Sequence, residues 1–313
     1  MQISKLKLVI LILAAITIIA VPSFVLSSHK DKIYVDASAK NTQDGSVGRP
    51  YKTIEQAMKT AKGKTEIHIA KGTYKENVKM KDKVEIYGES ESGVVIEAND
   101  KSEPVVTMEN ETLINKVTLK NGSDGVEVKD DAKASIIECT IENNKRDGVY
   151  IKANGAEKSK MVSISNNVIK NNHSAGIYAG KRNLSISEND IINNGGDGVD
   201  IEKGSNAWIA DNRINSNDKS GMKLRVDGST IWTKGNSIRK NNREGIEISF
   251  SGVAGRIDVA KSKIIDNDRY GIARVQRFGG INNSAWNSYV TFDNKNTIES
   301  NGSGSVSGII AIR

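Results

Sequence analysis

The chain has 313 residues, 27% of them charged and 5% aromatic, and a formal net charge of +7. The positive excess is interspersed, and no basic run is interleaved with aromatics, which argues against nucleic acid as a partner. One cysteine, Cys139, excludes an internal disulfide and any cysteine-based metal site.

The first 27 residues are a different material from the rest. Lys5 and Lys7 precede an apolar run, Leu8 to Val21, followed by Pro22 and the small residues of VLSS. This order matches a secretory signal peptide ending near Ser27. Because the apolar character continues to Leu26, an uncleaved membrane anchor over residues 8–26 is the alternative. In either case the body is expected outside the cytoplasm, as a secreted, cell-surface or periplasmic protein, with no other contact to the membrane.

Residues 28–64 form the second unit. Ile33 to Asp36 has the alternation of a strand. Thr53 and Gln56 have capping-box spacing ahead of Ile54, Ala57, Met58 and Ala61, which predicts a short amphipathic helix. Such a helix before a repeat array covers the open end of its core.

Residues 65–313 repeat. Strand-like runs from Glu66 to Ser90 and from Gly93 to Ala98 begin the array without its later signature. From Gly125 onward, a Gly followed by two alternating apolar residues returns about every two dozen positions, at Gly148, Gly176, Gly198, Gly221, Gly245 and Gly271, and again at Gly308. Pairs of Asn five residues apart accompany it, as in Asn167/Asn172, Asn189/Asn194 and Asn212/Asn217. Asn tolerates left-handed backbone and suits a bend that recurs in every coil, where stacked amides form a ladder. Cys139 occupies one ladder position, with a buried structural role expected. Between the bends Val117, Ile141, Ile169, Ile191 and Ile214 read as one aliphatic stack. Three short strands per turn, β-branched and alternating, describe an all-β right-handed parallel β-helix with a short N-terminal capping helix.

Asp36, the helix from Thr53 and the segment Gly72-Thr73-Tyr74-Lys75-Glu76 before KVEIYGE resemble the start of pectin-lyase-like β-helix proteins. The later N-x-I-x-x-N coils resemble the β-helix repeats of carbohydrate-binding and sugar-hydrolysing domains, NosD-like periplasmic proteins among them. The resemblance runs from Ile33 to the C-terminus and implies binding or processing of a polysaccharide. It does not extend to the catalytic signatures of pectate lyases, polygalacturonases or pectin methylesterases, nor to the Asp-Pro-His-Asp motif of alginate epimerases. His29, His68 and His173 stand in no such context.

Function in a solenoid belongs on outward positions that stack from coil to coil. After the glycines these run Glu127, Tyr150, Tyr178, Asp200, Lys223 and Glu247, with Glu202 and Arg225 two residues further on. Asp200, Glu202 and Glu247 are candidate catalytic acids, with Lys223 or Arg225 as base or uronate clamp; a lyase would add Ca²⁺, and no other cofactor is implied. Two coil spacings, about 9.6 Å, separate Asp200 from Glu247, near the window of about 6.5–9.5 Å for an inverting glycosidase. Opposite charges on neighbouring parallel strands are equally the ordinary cross-strand pairs of a sheet. Trp208 and Trp232, one coil apart and both outward, would form an apolar ledge for sugar rings, with Tyr150 and Tyr178 as a smaller pair on the next face. Insertions at Ala153 to Lys160 and Gln276 to Ser288 would overhang the same edge and bring Arg277 and Trp286 to the ledge. Asp124, Asp147 and Asp197, each before a Gly, are expected to form turns through Asx-type bonds. The leading expectation is an exported β-helix that binds, and under an enzymatic reading cleaves as lyase or hydrolase, an extracellular or envelope polysaccharide of acidic character. The alternatives are a non-catalytic adhesive rod and a NosD-like periplasmic accessory protein.

Overall fold

The structure, a computed structural model, describes residues 30–40, 42–153, 160–277 and 283–312. The expected signal or anchor segment lies outside them. Among the described residues no helix is long and apolar enough to cross a membrane.

Alternating apolar residues in short runs produce three parallel sheets. Sheet I has eleven strands, from Asp31–Val35 to Val290–Phe292. Sheet II has ten, from Gly72–Lys75 to Thr297–Glu299, and sheet III has ten, from Val78–Lys79 to Gly304–Ile312. Each coil supplies one strand to each sheet; Asn206–Ala210, Arg213–Asn215 and Met222–Arg225 make one such turn. The result is the expected right-handed parallel β-helix, whose inward residues form a single core along the axis.

The capping helix spans Ile54–Thr60. Thr53 Oγ1 accepts from Gln56 N at 3.2 Å, and the Gln56 side chain accepts from Thr53 N at 3.1 Å. A second cap comes from the first coil. The Glu76 carboxylate accepts from Ile54 N and Glu55 N at 2.9 and 2.8 Å, satisfying two of the helix's free donors. Ile54, Ala57 and Met58 are buried where the helix packs on strands Asp31–Val35 and Val78–Lys79.

Both Asn ladders form. In one, the Nδ2 of Asn167, Asn189 and Asn212 donates to the Oδ1 of the next coil's Asn at 2.9 to 3.0 Å. The other runs from Asn144 through Asn172, Asn194, Asn217, Asn241 and Asn267 to Asn301. Each inner amide also donates to a carbonyl one coil back, as Asn189 does to Ile164 O at 2.9 Å, and accepts a backbone N–H. Buried amides so saturated add stability where an unpaired one would cost about 1–3 kcal/mol. The bend itself falls one residue earlier than expected. Asp211 (φ 56°) and Ser216 (φ 55°), not the Asn that follow, take the left-handed conformation. The ladder Asn is therefore selected for its amide rather than for its backbone.

Two registers differ from the sequence reading. Ile141 pairs with Leu119, so Val117 drops out of the aliphatic stack into the ladder column, beside Cys139. The coil after Gly271 places Ser305, not Gly308, at the close-packed position, since Tyr270 pairs with Gly304 and Ile272 with Val306; the register shifts only beyond that, at a bulge between Ile272 and Arg274. The column glycines are needed for room rather than for φ. A Cβ on Gly198 would stand 2.5 Å from Gly221 O and from Ile214 Cγ2.

Candidate functional site

Strict register makes the outward residues of sheet III a true column. Glu127, Tyr150, Tyr178, Asp200, Lys223 and Glu247 are successive lateral neighbours. The Tyr150 and Tyr178 rings stack at 5.5 Å with 15° between planes, and the Arg146 guanidinium lies 5.8 Å from the Tyr150 ring centre. Lys223 Nζ is 2.7 Å from Asp200 Oδ2 and 3.8 Å from Asp197 Oδ2. Arg225 pairs with Glu202, whose other oxygen is 3.4 Å from Tyr178 Oη. Lys129 and Lys152 both reach Glu127, at 2.8 and 3.3 Å. Nearly every charge in the column is thus answered within it.

Burial sets the protonation of this cluster. Glu247 is 2% exposed, and desolvation, then the nearby Asp197, push its carboxyl above the usual range. Asp197 is raised for the same first reason, with Lys223 opposing. Burial lifts Asp147 to about 6. Burial works against the Lys223 ammonium, yet the attraction of Asp200 wins and its affinity for the proton is increased. Glu247 is closed off from solvent, and Lys223 stands between it and Asp200, so the two carboxyls do not face each other across the open gap an inverting pair needs. Asp200 Oδ1 and Arg225 Nε are exceptions to the pairing: both are buried and have no hydrogen-bond partner among the described residues.

Trp208 and Trp232 are in-register neighbours on sheet I, exposed at 44% and 41%. They share an outward face, but not the face of Tyr150 and Tyr178, so the aromatic residues form two separate surfaces. Trp286 is a correction. It lies on the helix Asn283–Tyr289 and is 3% exposed, with the Arg274 guanidinium 5.3 Å from its ring. Tyr289 of the same helix meets Phe250 edge-on at 5.4 Å. The helix covers the core with its apolar side, which removes Trp286 from any ledge. The side chain of Arg277 lies outside the described residues.

A family model described as right handed beta helix region matches residues 73–158 and 148–308, most of the sequence. The chain belongs to that family. No curated protein sequence matches it. Among solved structures, a pectate lyase is 14% identical with a TM-score of 0.56, covering 90% of this chain and 79% of its own. Tailspike protein 2 of the Escherichia coli O157:H7 bacteriophage CAB120 is 12% identical, TM-score 0.57, over 84% of this chain and 41% of its own. The A-module of a mannuronan C-5 epimerase from Azotobacter vinelandii is 15% identical, TM-score 0.51, over 82% of this chain and 90% of its own. At these identities the likeness is one of fold.

Within this right handed beta helix, the acidic residues before the column glycines act otherwise than the sequence reading expects, and one of them, Glu244, escaped it. Asp124, Asp147 and Asp197 do not close their own turns. They accept backbone N–H groups from the next coil, at Asp147, Ala175 and Ser220, over 2.8 to 3.1 Å. Asp197 thereby enters the Lys223 cluster. Glu244 completes it through Ser220, whose hydroxyl reaches Glu244 at 3.2 Å and Glu247 at 3.4 Å. The signal was present, since the residue before each column Gly is acidic in Asp124, Asp147, Asp197 and Glu244. Among the described residues no group of three or more His, Cys, Asp or Glu is arranged to hold a metal ion. Beside the column, Tyr178, Gly180, Glu202, Lys203 and Val253 line a shallow groove of about 490 Å³.

Proposed function

We propose that this is an exported β-helix that binds a polysaccharide, with Trp208 and Trp232 as the sugar-stacking surface. One observation carries the reading: two large indoles on adjacent rungs of a rigid sheet are each more than two-fifths exposed. Exposed aromatic area offers a flat apolar face to the C–H side of a pyranose. Lys234 follows Trp232 at the next outward position and is exposed, which favours a polymer carrying acidic groups. The polysaccharide-active names among proteins of like fold agree with this reading. The test is retention on immobilised polysaccharides in affinity gels. A Trp208→Ala/Trp232→Ala variant is expected to lose about tenfold or more in affinity, about 1.4 kcal/mol, with an unchanged far-ultraviolet spectrum. Equal retention by the variant would remove the ledge.

A catalytic reading is favoured by a different observation, the unpaired Asp200 Oδ1 beside carboxyls that burial has raised. Carboxyls whose hold on the proton burial has strengthened, beside a carboxyl oxygen left without a partner, are the ingredients of general acid–base chemistry on a glycosidic bond. Ultraviolet absorbance on polyuronates with added Ca²⁺ would report elimination, and new reducing ends would report hydrolysis. Either signal should vanish in Asp200→Asn. Silence in both assays, with retention intact, leaves a binding protein.

A further inference from the structure

The other end of sheet I holds a cleft that neither the Trp ledge nor the charged column uses. Tyr34, His68 and Tyr87 are lateral neighbours on the first three strands. Their rings stack in file, with centres 5.4 and 5.5 Å apart and planes within 23°. Beside this file opens a cleft of about 310 Å³, at the lower end of the range of about 300–1,000 Å³ for small-ligand sites. Its opposite wall is apolar, made by Pro50 and by Val47, which is 70% exposed. Packing does not explain Val47, since a valine left in solvent contributes nothing to the core.

The chemistry of the floor narrows the ligand. The next outward position after the three rings runs Asp36, Ala70, Glu89. Two carboxylates therefore stand about two rungs, roughly 9.6 Å, apart with only a methyl group between them. Among the described residues Asp36 accepts from Ser38 alone, at 2.8 and 2.7 Å, and Glu89 is met by Lys71. The lysines nearest the rings, Lys30 and Lys32, are engaged with Glu66 and Glu85. Among the described residues the lining of the cleft thus presents hydrogen-bond acceptors and apolar walls and no lysine or arginine.

We propose that this cleft binds one uncharged saccharide unit, its hydroxyls donating to Asp36 and Glu89 and its carbon skeleton held between the aromatic file and Val47–Pro50. A uronate would bring a third negative charge between two carboxylates and is disfavoured. The cleft lies on the same face as Trp208, with five rungs, about 24 Å, from Tyr87 to Trp208, so one polymer lying along the axis reaches both. The proposal shares the sugar-binding character of the previous reading but none of its residues.

The test follows the imidazole signals of His68 by NMR in the full chain, titrated with neutral xylo-, manno- and cellohexaose and with a galacturonate hexamer. At least one neutral probe should shift the His68 signals saturably, and the galacturonate should bind at least tenfold more weakly. Ala70→Leu fills the floor and Val47→Glu puts a charge on the solvent-exposed wall, where folding is indifferent to it. Each should weaken the neutral probe tenfold or more, while Trp208→Ala/Trp232→Ala leaves it unchanged. The proposal is overturned by a His68 signal that no neutral probe moves, by galacturonate binding as tightly, or by undiminished affinity in Val47→Glu. Loss of polymer retention only in the tryptophan variant, with a silent His68, would keep the ledge and discard the cleft.

Discussion

The outward faces of sheets I and III solve opposite problems on the same scaffold. On sheet III, side chains that look like machinery are mostly occupied with one another: Asp200 with Lys223, Glu202 with Arg225, Glu127 with two lysines. On sheet I, Trp208 and Trp232 are left in solvent on adjacent rungs. Charge that is paired inside a column is the means by which a parallel stack tolerates polar residues, whereas unburied apolar area has no such internal explanation. The difference teaches where recognition is to be sought, and substitutions on the two faces should separate cleanly.

The largest effect is expected on sheet III. Lys223→Met leaves Asp197 and Asp200 buried without their counter-ion, and removing one partner of a buried pair costs about 3–5 kcal/mol. The urea midpoint should fall accordingly. Adding Asp200→Leu should recover much of the loss, because the stranded charge goes with it. The double tryptophan variant, by contrast, should move the same midpoint by less than about 1 kcal/mol while losing its ligand. A Lys223→Met protein as stable as the parent would mean that the column is solvated and open, and would return it to the catalytic reading.

How much of this was legible beforehand depended on whether a residue had a counterpart one period away. The Asn pairs and post-Gly alternation placed Tyr150, Tyr178, Asp200, Lys223, Trp208 and Trp232 in their columns, because each has an equivalent in the next coil. Val117 was misplaced because it and Leu119 are both apolar and in the same phase, and that coil lacks the Asn that marks the bend. Trp286 sits in an insertion with no counterpart, so periodicity says nothing of which side it faces, and its amphipathic helix turned it inward. The Tyr34–His68–Tyr87 file went unseen because the first coils carry no Asn pairs to set their register. Asp197 was located but misread. Asx chemistry is local in a loop, whereas in a solenoid the nearest N–H belongs to the following coil.

A middle-sized effect comes from Asp147. Its carboxyl is raised from 3.8 to about 6, chiefly by burial, so the folded protein binds that proton more tightly than the unfolded chain. Between these values stability falls as pH rises, and the full cost is present above pH 6. Asp147→Asn keeps an oxygen for Ala175 N and removes the charge. At pH 7.5 the variant should be more stable by about 1–2 kcal/mol after allowance for solvent screening. The advantage should shrink to nothing near pH 3.5, which a melting series in pH measures directly. A constant difference across the range would assign the gain to something other than ionisation.

The smallest effect asks whether the ladder is as uniform in energy as in geometry. Cys139 takes an Asn position and is fully buried. Its backbone N donates to Asn167 Oδ1 at 2.9 Å, and its thiol lies 3.2 Å from Ile137 O. Burial pushes that thiol up to about 12, so it stays a neutral, weak donor. An amide there would offer Nδ2 to Asn167 Oδ1, as Asn167 itself offers one to Asn189, while keeping Ile137 O as a second acceptor. Cys139→Asn should therefore stabilise the fold by about 0.5–1.5 kcal/mol, one net hydrogen bond. By the pattern of the ladders the new oxygen would stand opposite Val117 N, as Asn144 Oδ1 accepts from Gly122 N at 3.0 Å. A destabilised variant would show that this ladder ends at Asn167 for want of space.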